Sequence, residues 1–193
     1  MTRIFRSSLV TLLLAAAPAI AQTVPRPSPE LAIKTVGGGQ VLLSQYRGKV
    51  VAVLFILTEC PHCQTTVTML NKLQQEYGPR GFQAVASAIN DMASLYVPDF
   101  IKRFQPPYPV GFNSRDAVLD FLQASPLLRM MMPQLVVVDR RYQIRAQYPG
   151  DDKFFEAAVQ EKNLRSLIEP LLKESSTPKK AASAPVAKKK PGT

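Results

Sequence analysis

Lys49–Cys63 reads KVVAVLFILTECPHC. After one lysine, the run to Leu57 is continuously apolar and rich in β-branched residues, as expected for a strand buried on both faces of a sheet. Thr58-Glu59 ends it. Pro61 then stands where the first turn of a helix accepts proline. Cys63, Val67, Leu70 and Tyr77 follow at helical spacing, with Leu73 beside them. Gly78-Pro79 is expected to stop the helix. The junction of strand and helix holds both cysteines of the chain, Cys60 and Cys63, and its one histidine, His62.

Outward from this unit the pattern alternates. Upstream, Leu31–Val36 and Gln40–Leu43 flank Gly37-Gly38-Gly39, which predicts a small hairpin. Downstream, Phe82–Ile89 reads as a strand. Pro98–Phe104 reads as a helix opened by its proline, Tyr108–Phe112 as a strand, and Val118, Phe121 and Leu122 as a short helix. Gln134–Val138 and Tyr142–Tyr148 form strands around an Asp139-Arg140-Arg141 turn, and Leu164–Leu172 closes as an amphipathic helix. The expected fold is therefore α/β: a central mixed β-sheet flanked by helices, with an N-terminal β-hairpin extension.

The ends differ from the middle. Arg3 and Arg6, the apolar run Leu9–Ala17 and the small-residue site Ala19-Ile20-Ala21 predict a secretory signal peptide cleaved after Ala21. The run is too short, and too interrupted by Pro18, to span a bilayer. No cysteine lies near the cut to carry a lipid. The mature chain is then periplasmic or extracellular, where disulfides persist. Residues 22–30 are Pro-rich and expected to be an extended arm, residues 31–173 a single domain, and residues 174–193 a disordered basic tail. The tail holds five lysines and one glutamate, and carries four of the eight positive charges that remain of +10 once Arg3 and Arg6 are gone. It serves solubility, or attraction to anionic envelope surfaces. No basic–aromatic pattern supports nucleic-acid binding. The 46% hydrophobic content suffices for an ordinary core, and a monomer is expected.

A C-x-x-C bridge closes so small a loop that it adds little stability, which points to chemistry. The thiolate is the reactive form of cysteine. Cys60, at the lip of the helix, faces unpaired N–H groups and the positive end of the helix dipole. His62, when protonated, adds a positive charge, and Glu59 adds a negative one that nearly offsets it. The helix terminus then favours thiolate at Cys60, the expected nucleophile, and leaves the more covered Cys63 as the resolving thiol. Cys60 attacks a substrate disulfide, and Cys63 releases the product. No second C-x-x-C or other histidine completes a zinc site, and no cofactor is expected.

With these residues in view, the chain resembles the thioredoxin-fold redoxins of the TlpA/ResA type, exported thiol-disulfide oxidoreductases. The resemblance runs from about Leu31 to Leu172 and rests on LSQYRGKVVAVLF, on C-P-H-C and on MPQLVVVDRRYQI. It implies exchange with protein thiols and disulfides, and a redox partner. It also implies that Pro133 is a cis-proline facing the cysteines, with Met132 pairing to substrate backbone and Met130, Met131 and Met132 forming a soft apolar lip. The dipeptide Pro61-His62 is similar to that of the oxidising enzyme DsbA, and implies that His62 makes the pair more oxidising. Three features depart from the family. Glu59 replaces the usual tryptophan, no acid lies in the VVAVLFIL strand, and Met132 replaces the usual small residue or threonine before the proline. Glu59 either stands in for the missing acid or is a solvated surface charge.

Two other functions compete. A peroxiredoxin-like peroxide reductase would carry P-x-x-x-T-x-x-C, but Val53 and Leu57 stand at the proline and threonine positions. A Cu(I)-binding redoxin-like chaperone would suit cysteines and methionines, but lacks its distant histidine.

Overall fold

The structure, a computed structural model, describes residues 23–175. One mixed sheet holds eight strands: β1 (Arg26–Pro27), β2 (Ala32–Lys34), β3 (Gln40–Leu42), β4 (Val50–Ile56), β5 (Phe82–Ala88), β6 (Val110–Phe112), β7 (Gln134–Val138) and β8 (Gln143–Tyr148). Four helices accompany it: α1 (Pro61–Tyr77), α2 (Ala93–Phe104), α3 (Arg115–Leu122) and α4 (Gln160–Lys173). The strand order is β1-β8-β7-β4-β5-β6-β2-β3. The run quoted above lies at the centre, parallel to β5 and antiparallel to β7, with all seven residues of β4 buried.

Alternation along β4 divides the core. Val50, Ala52, Leu54 and Ile56 face α1, α2 and α4, where Val67, Leu70, Val97, Phe100, Leu164 and Ile168 cover them. Val51, Val53 and Phe55 face the opposite layer, with Val118, Phe121 and Leu122 of α3 and Leu31 and Ile33 of the hairpin. Phe55 meets Phe121 edge to face at 5.8 Å. Each such side chain contributes roughly 1.5–3 kcal/mol of burial, so the central strand is fixed from both sides.

The register also places the loops. Ile56 pairs with Ala88 and Phe55 with Gln134. The segments after β4 and β5 and the segment before β7 therefore gather at one end of the sheet, the carboxyl end of its parallel strands, where open α/β sheets bind ligands.

Several expectations need correction. The helix read from Pro98 begins five residues earlier at Ala93, with Pro98 inside it. Ala93, Val97 and Phe100 are all buried at helical spacing, and their burial outweighs the backbone bond that proline removes. The closing helix likewise begins at Gln160 rather than Leu164. Gly78-Pro79 does end α1, at Tyr77, but not by a left-handed glycine at Gly78. That residue stays right-handed, and a 3-10 turn carries the chain to Gly81, whose φ of 92° makes the reversal. The extended arm joins the sheet: Arg26 pairs with Ile144 of β8. Its guanidinium donates to Phe121 O and Leu122 O, the last carbonyls of α3. The expected hairpin does form, β2 with β3, and it extends the sheet through the pairing of Lys34 with Phe112 of β6. Glu174, assigned from sequence to the tail, is part of the fold: Arg145 donates to both of its oxygens, at 2.8 and 3.2 Å. The predicted signal peptide and residues 176–193 of the tail lie outside the described residues.

Candidate active site

Cys60 is the N-cap of α1, with extended backbone and Pro61 directly after it. Its Sγ accepts the Cys63 N–H at 3.3 Å. The helix end thus aims one of its unpaired donors at the sulfur, as capping side chains do. Both thiols are free; Cys60 is half-buried and Cys63 wholly buried. Burial pushes the Cys63 thiol well above its ordinary range, and the hydrogen bond to Cys60 adds to the shift. The Leu57 backbone works weakly against this shift. The pair is therefore unequal: one sulfur at the rim, held by a backbone donor, and one in the core that stays protonated.

Pins on three sides hold the turn between β4 and α1. The Cys60 N–H donates to Leu57 O at 3.1 Å. Gln64 Nε2 donates to Thr58 O at 2.9 Å, and the Thr58 N–H donates to Asn90 Oδ1 at 3.2 Å. One turn into α1, the buried Thr66 hydroxyl donates to His62 O at 2.8 Å and accepts Gln160 Nε2 of α4 at 2.7 Å. Gln64, Asn90, Thr66 and Gln160 were missed from sequence. Only Gln64 had a signal, its position one residue past the second cysteine.

The Met132–Pro133 peptide bond is cis. Gln134 Nε2 and the Gly150 N–H both donate to Met131 O, at 2.6 and 3.1 Å. Gly150 comes so close that a Cβ there would lie 2.4 Å from the Met132 carbonyl carbon. Pro133 is buried, Met132 is half-buried against the same core layer as Cys60, and Met131 is 37% exposed. Met130 turns away from this rim. It packs against the other core layer and walls a pocket of about 270 Å³ with Leu119, Leu122, Leu128 and Pro149.

Pro61 and His62 are exposed on the first turn of α1. Glu59 is exposed and lines a cleft of about 420 Å³ with Asn90, Asp91, Met92 and Tyr96. The structure thus gathers Cys60, Cys63, Pro61, His62 and the Met131–Pro133 loop at one end of the sheet, with Glu59 on the outer rim. Among the described residues no group of three or more His, Cys, Asp or Glu side chains could hold a metal ion.

A model of the Redoxin family matches residues 16–165. Thiol-disulfide oxidoreductase ResA of Geobacillus kaustophilus is 26% identical over 130 residues, which cover 67% of this chain and 71% of that protein. Probable glutathione peroxidase 8 of Arabidopsis thaliana is 27% identical over 114 residues, covering 55% and 66%. Among solved structures, a thiol:disulfide interchange protein of the thioredoxin family from Chlorobium tepidum superposes with a TM-score of 0.64. It is 22% identical over 79% of this chain and 99% of that one, and the likeness is one of fold.

Proposed function

Because the chain belongs to the Redoxin family, as a thiol-disulfide oxidoreductase of the TlpA/ResA type, we propose that it exchanges disulfides through Cys60 as nucleophile and Cys63 as resolving thiol. The observation that carries this is the asymmetry of the pair: a rim sulfur accepting a helix-end N–H at 3.3 Å, beside a buried one.

The Cys60 thiolate attacks one sulfur of a substrate disulfide. A Cys60–substrate disulfide forms, and the other substrate sulfur leaves as a thiolate that takes a proton. The Cys63 sulfur then attacks the Cys60 sulfur, and its proton passes through solvent to the departing substrate thiolate. The internal disulfide forms, and the second substrate thiolate leaves. Two electrons have passed from the protein dithiol to the substrate. A dithiol partner reverses the steps, and with a dithiol substrate the oxidised pair acts as oxidant. Met131, Met132 and Pro133 border the place where the substrate chain lies. His62 stabilises the reduced pair, and Glu59 belongs to the substrate rim. The substrate is a protein thiol or disulfide, the site requires no cofactor, and the protein acts as a monomer. The protein works outside the cytoplasm after cleavage at Ala21, a reading carried by its first 21 residues.

Reduction of a model protein disulfide, such as insulin, tests the proposal. Cys60→Ser is expected to abolish turnover, and Cys63→Ser to allow a single attack without turnover. Full activity in both variants would overturn it. A second reading, peroxide reduction, is favoured by the relative named as a glutathione peroxidase. Catalytic consumption of hydrogen peroxide by the reduced protein would establish it, and merely stoichiometric consumption would exclude it.

A further inference from the structure

Helix α2 carries two stripes. Ala93, Val97 and Phe100 are buried against the sheet layer. One position over, Met92, Leu95 and Tyr96 run outward at the start of the helix, and Asp99 continues their line. Met92 is 63% exposed, Leu95 67% and Tyr96 45%. A surface helix ordinarily turns one apolar stripe to the core and shows water a polar one. Here the outer stripe is apolar and uncovered.

This stripe adjoins the reactive turn. Met92 and Tyr96 share a cleft with Leu57, Thr58 and Glu59, the residues that lead directly into Cys60. A second hollow, of about 130 Å³, continues past Tyr96 to Asp99 and Arg103. Glu59, Asp91 and Asp99 thus set three carboxylates against one guanidinium, on a chain whose net charge is +10. The local charge beside the nucleophile runs against that of the whole molecule. Screening limits exposed charges to about 10 Å at moderate salt, so a bound segment at this place meets chiefly the charges that line the two hollows.

We propose that the Glu59–Tyr96 cleft docks the polypeptide segment flanking the substrate cysteine, and selects segments that combine an apolar with a basic residue. This rests on the disulfide-exchange reading above and names the class of substrate. Met92 and Leu95 offer adaptable apolar contact. The Tyr96 ring and the carboxylates of Asp91 and Asp99 receive a Lys or Arg side chain. The substrate chain then lies across Cys60, with the exposed Met131 on one bank and Tyr96 on the other.

Three short peptides, each with its single cysteine joined to glutathione, test this. One places Leu and Lys beside the cysteine, one Leu and Glu, one Ser and Lys. The reduced protein converts each disulfide to two thiols while its own dithiol becomes the disulfide, and kcat/KM is read at low salt. The Leu/Lys peptide is expected to exceed each of the others by about fivefold. The doubly substituted Leu95→Ser, Tyr96→Ser protein should lose its advantage over Ser/Lys. The Asp91→Asn, Asp99→Asn protein should lose that over Leu/Glu. The Leu95→Ser, Tyr96→Ser protein should reduce oxidised glutathione at the unaltered rate, and the Asp91→Asn, Asp99→Asn protein no more slowly than the unmodified one. Equal rates for the three peptides, with normal reduction of oxidised glutathione, would overturn the cleft assignment and leave the redox reading standing. Failure of the unmodified protein to exchange with glutathione in either direction, reduced protein with oxidised glutathione or oxidised protein with reduced glutathione, would overturn both. Concentration-dependent dimers that Leu95→Ser, Tyr96→Ser disperses would give the surface to a second copy of the chain, and would equally overturn the assignment.

Discussion

Cys60 does two things with one atom: its sulfur caps α1, and it is the sulfur a substrate can reach. Serine is among the best N-caps, so Cys60→Ser retains the helix start, and its loss of activity reports chemistry rather than folding. Cys63 is governed by burial. Its neutral form is the one the core accepts, so its folded pKa lies above the unfolded value. The stability this gives is whole below the unfolded thiol's pKa, about 8.5, and is lost as pH rises through that value toward the higher folded one. The decline can reach about 1.4 kcal/mol per pH unit. Urea titrations of the reduced protein between pH 7 and 10 should show a steeper fall than those of Cys63→Ala. Parallel curves would contradict the burial argument. Both cysteines were evident from spacing alone, because a C-x-x-C is a local pattern. Gln160 and Asn90 were not, because a lone polar residue carries no trace of a partner 94 or 32 positions away.

At the level of elements, the reactive turn depends on backbone contacts that hold the loop before β7. Gly150 closes against Met132 so tightly that a side chain cannot enter without moving backbone. Gly150→Ala is expected to cost roughly 1–3 kcal/mol, as overpacking does, and to slow disulfide reduction by about tenfold or more by displacing the Met131–Pro133 loop. Denaturation midpoints and initial rates check this, and an unchanged rate would separate the loop from catalysis. The central strand was legible because burial on both faces leaves an uninterrupted apolar run. The start of α2 was not. Pro98 reads locally as a helix opening, and only the burial of Ala93 on the assembled sheet shows that the helix is already under way. The arm was equally hidden, since the pairing of Arg26 with Ile144 is decided by the far edge of the sheet.

Across the whole molecule, one register decides the function. β4 lies between β5 and β7, so the loops after Ile56 and Ala88 and the loop before Gln134 meet at a single end. The α/β class and the place of the cysteines were readable from alternating strands and helices. Which loops converge was not, because strand order is set by pairings between distant segments. That convergence turns a capped thiol into an exchange site, and it puts the α2 stripe within reach of the same substrate. The most direct test traps the intermediate. Cys63→Ser protein, reduced and mixed with a peptide disulfide, should hold one peptide in a disulfide that peptide mapping assigns to Cys60, and dithiothreitol should release it. No adduct, or an adduct at equal yield when Cys60 is also replaced by serine, would contradict the account.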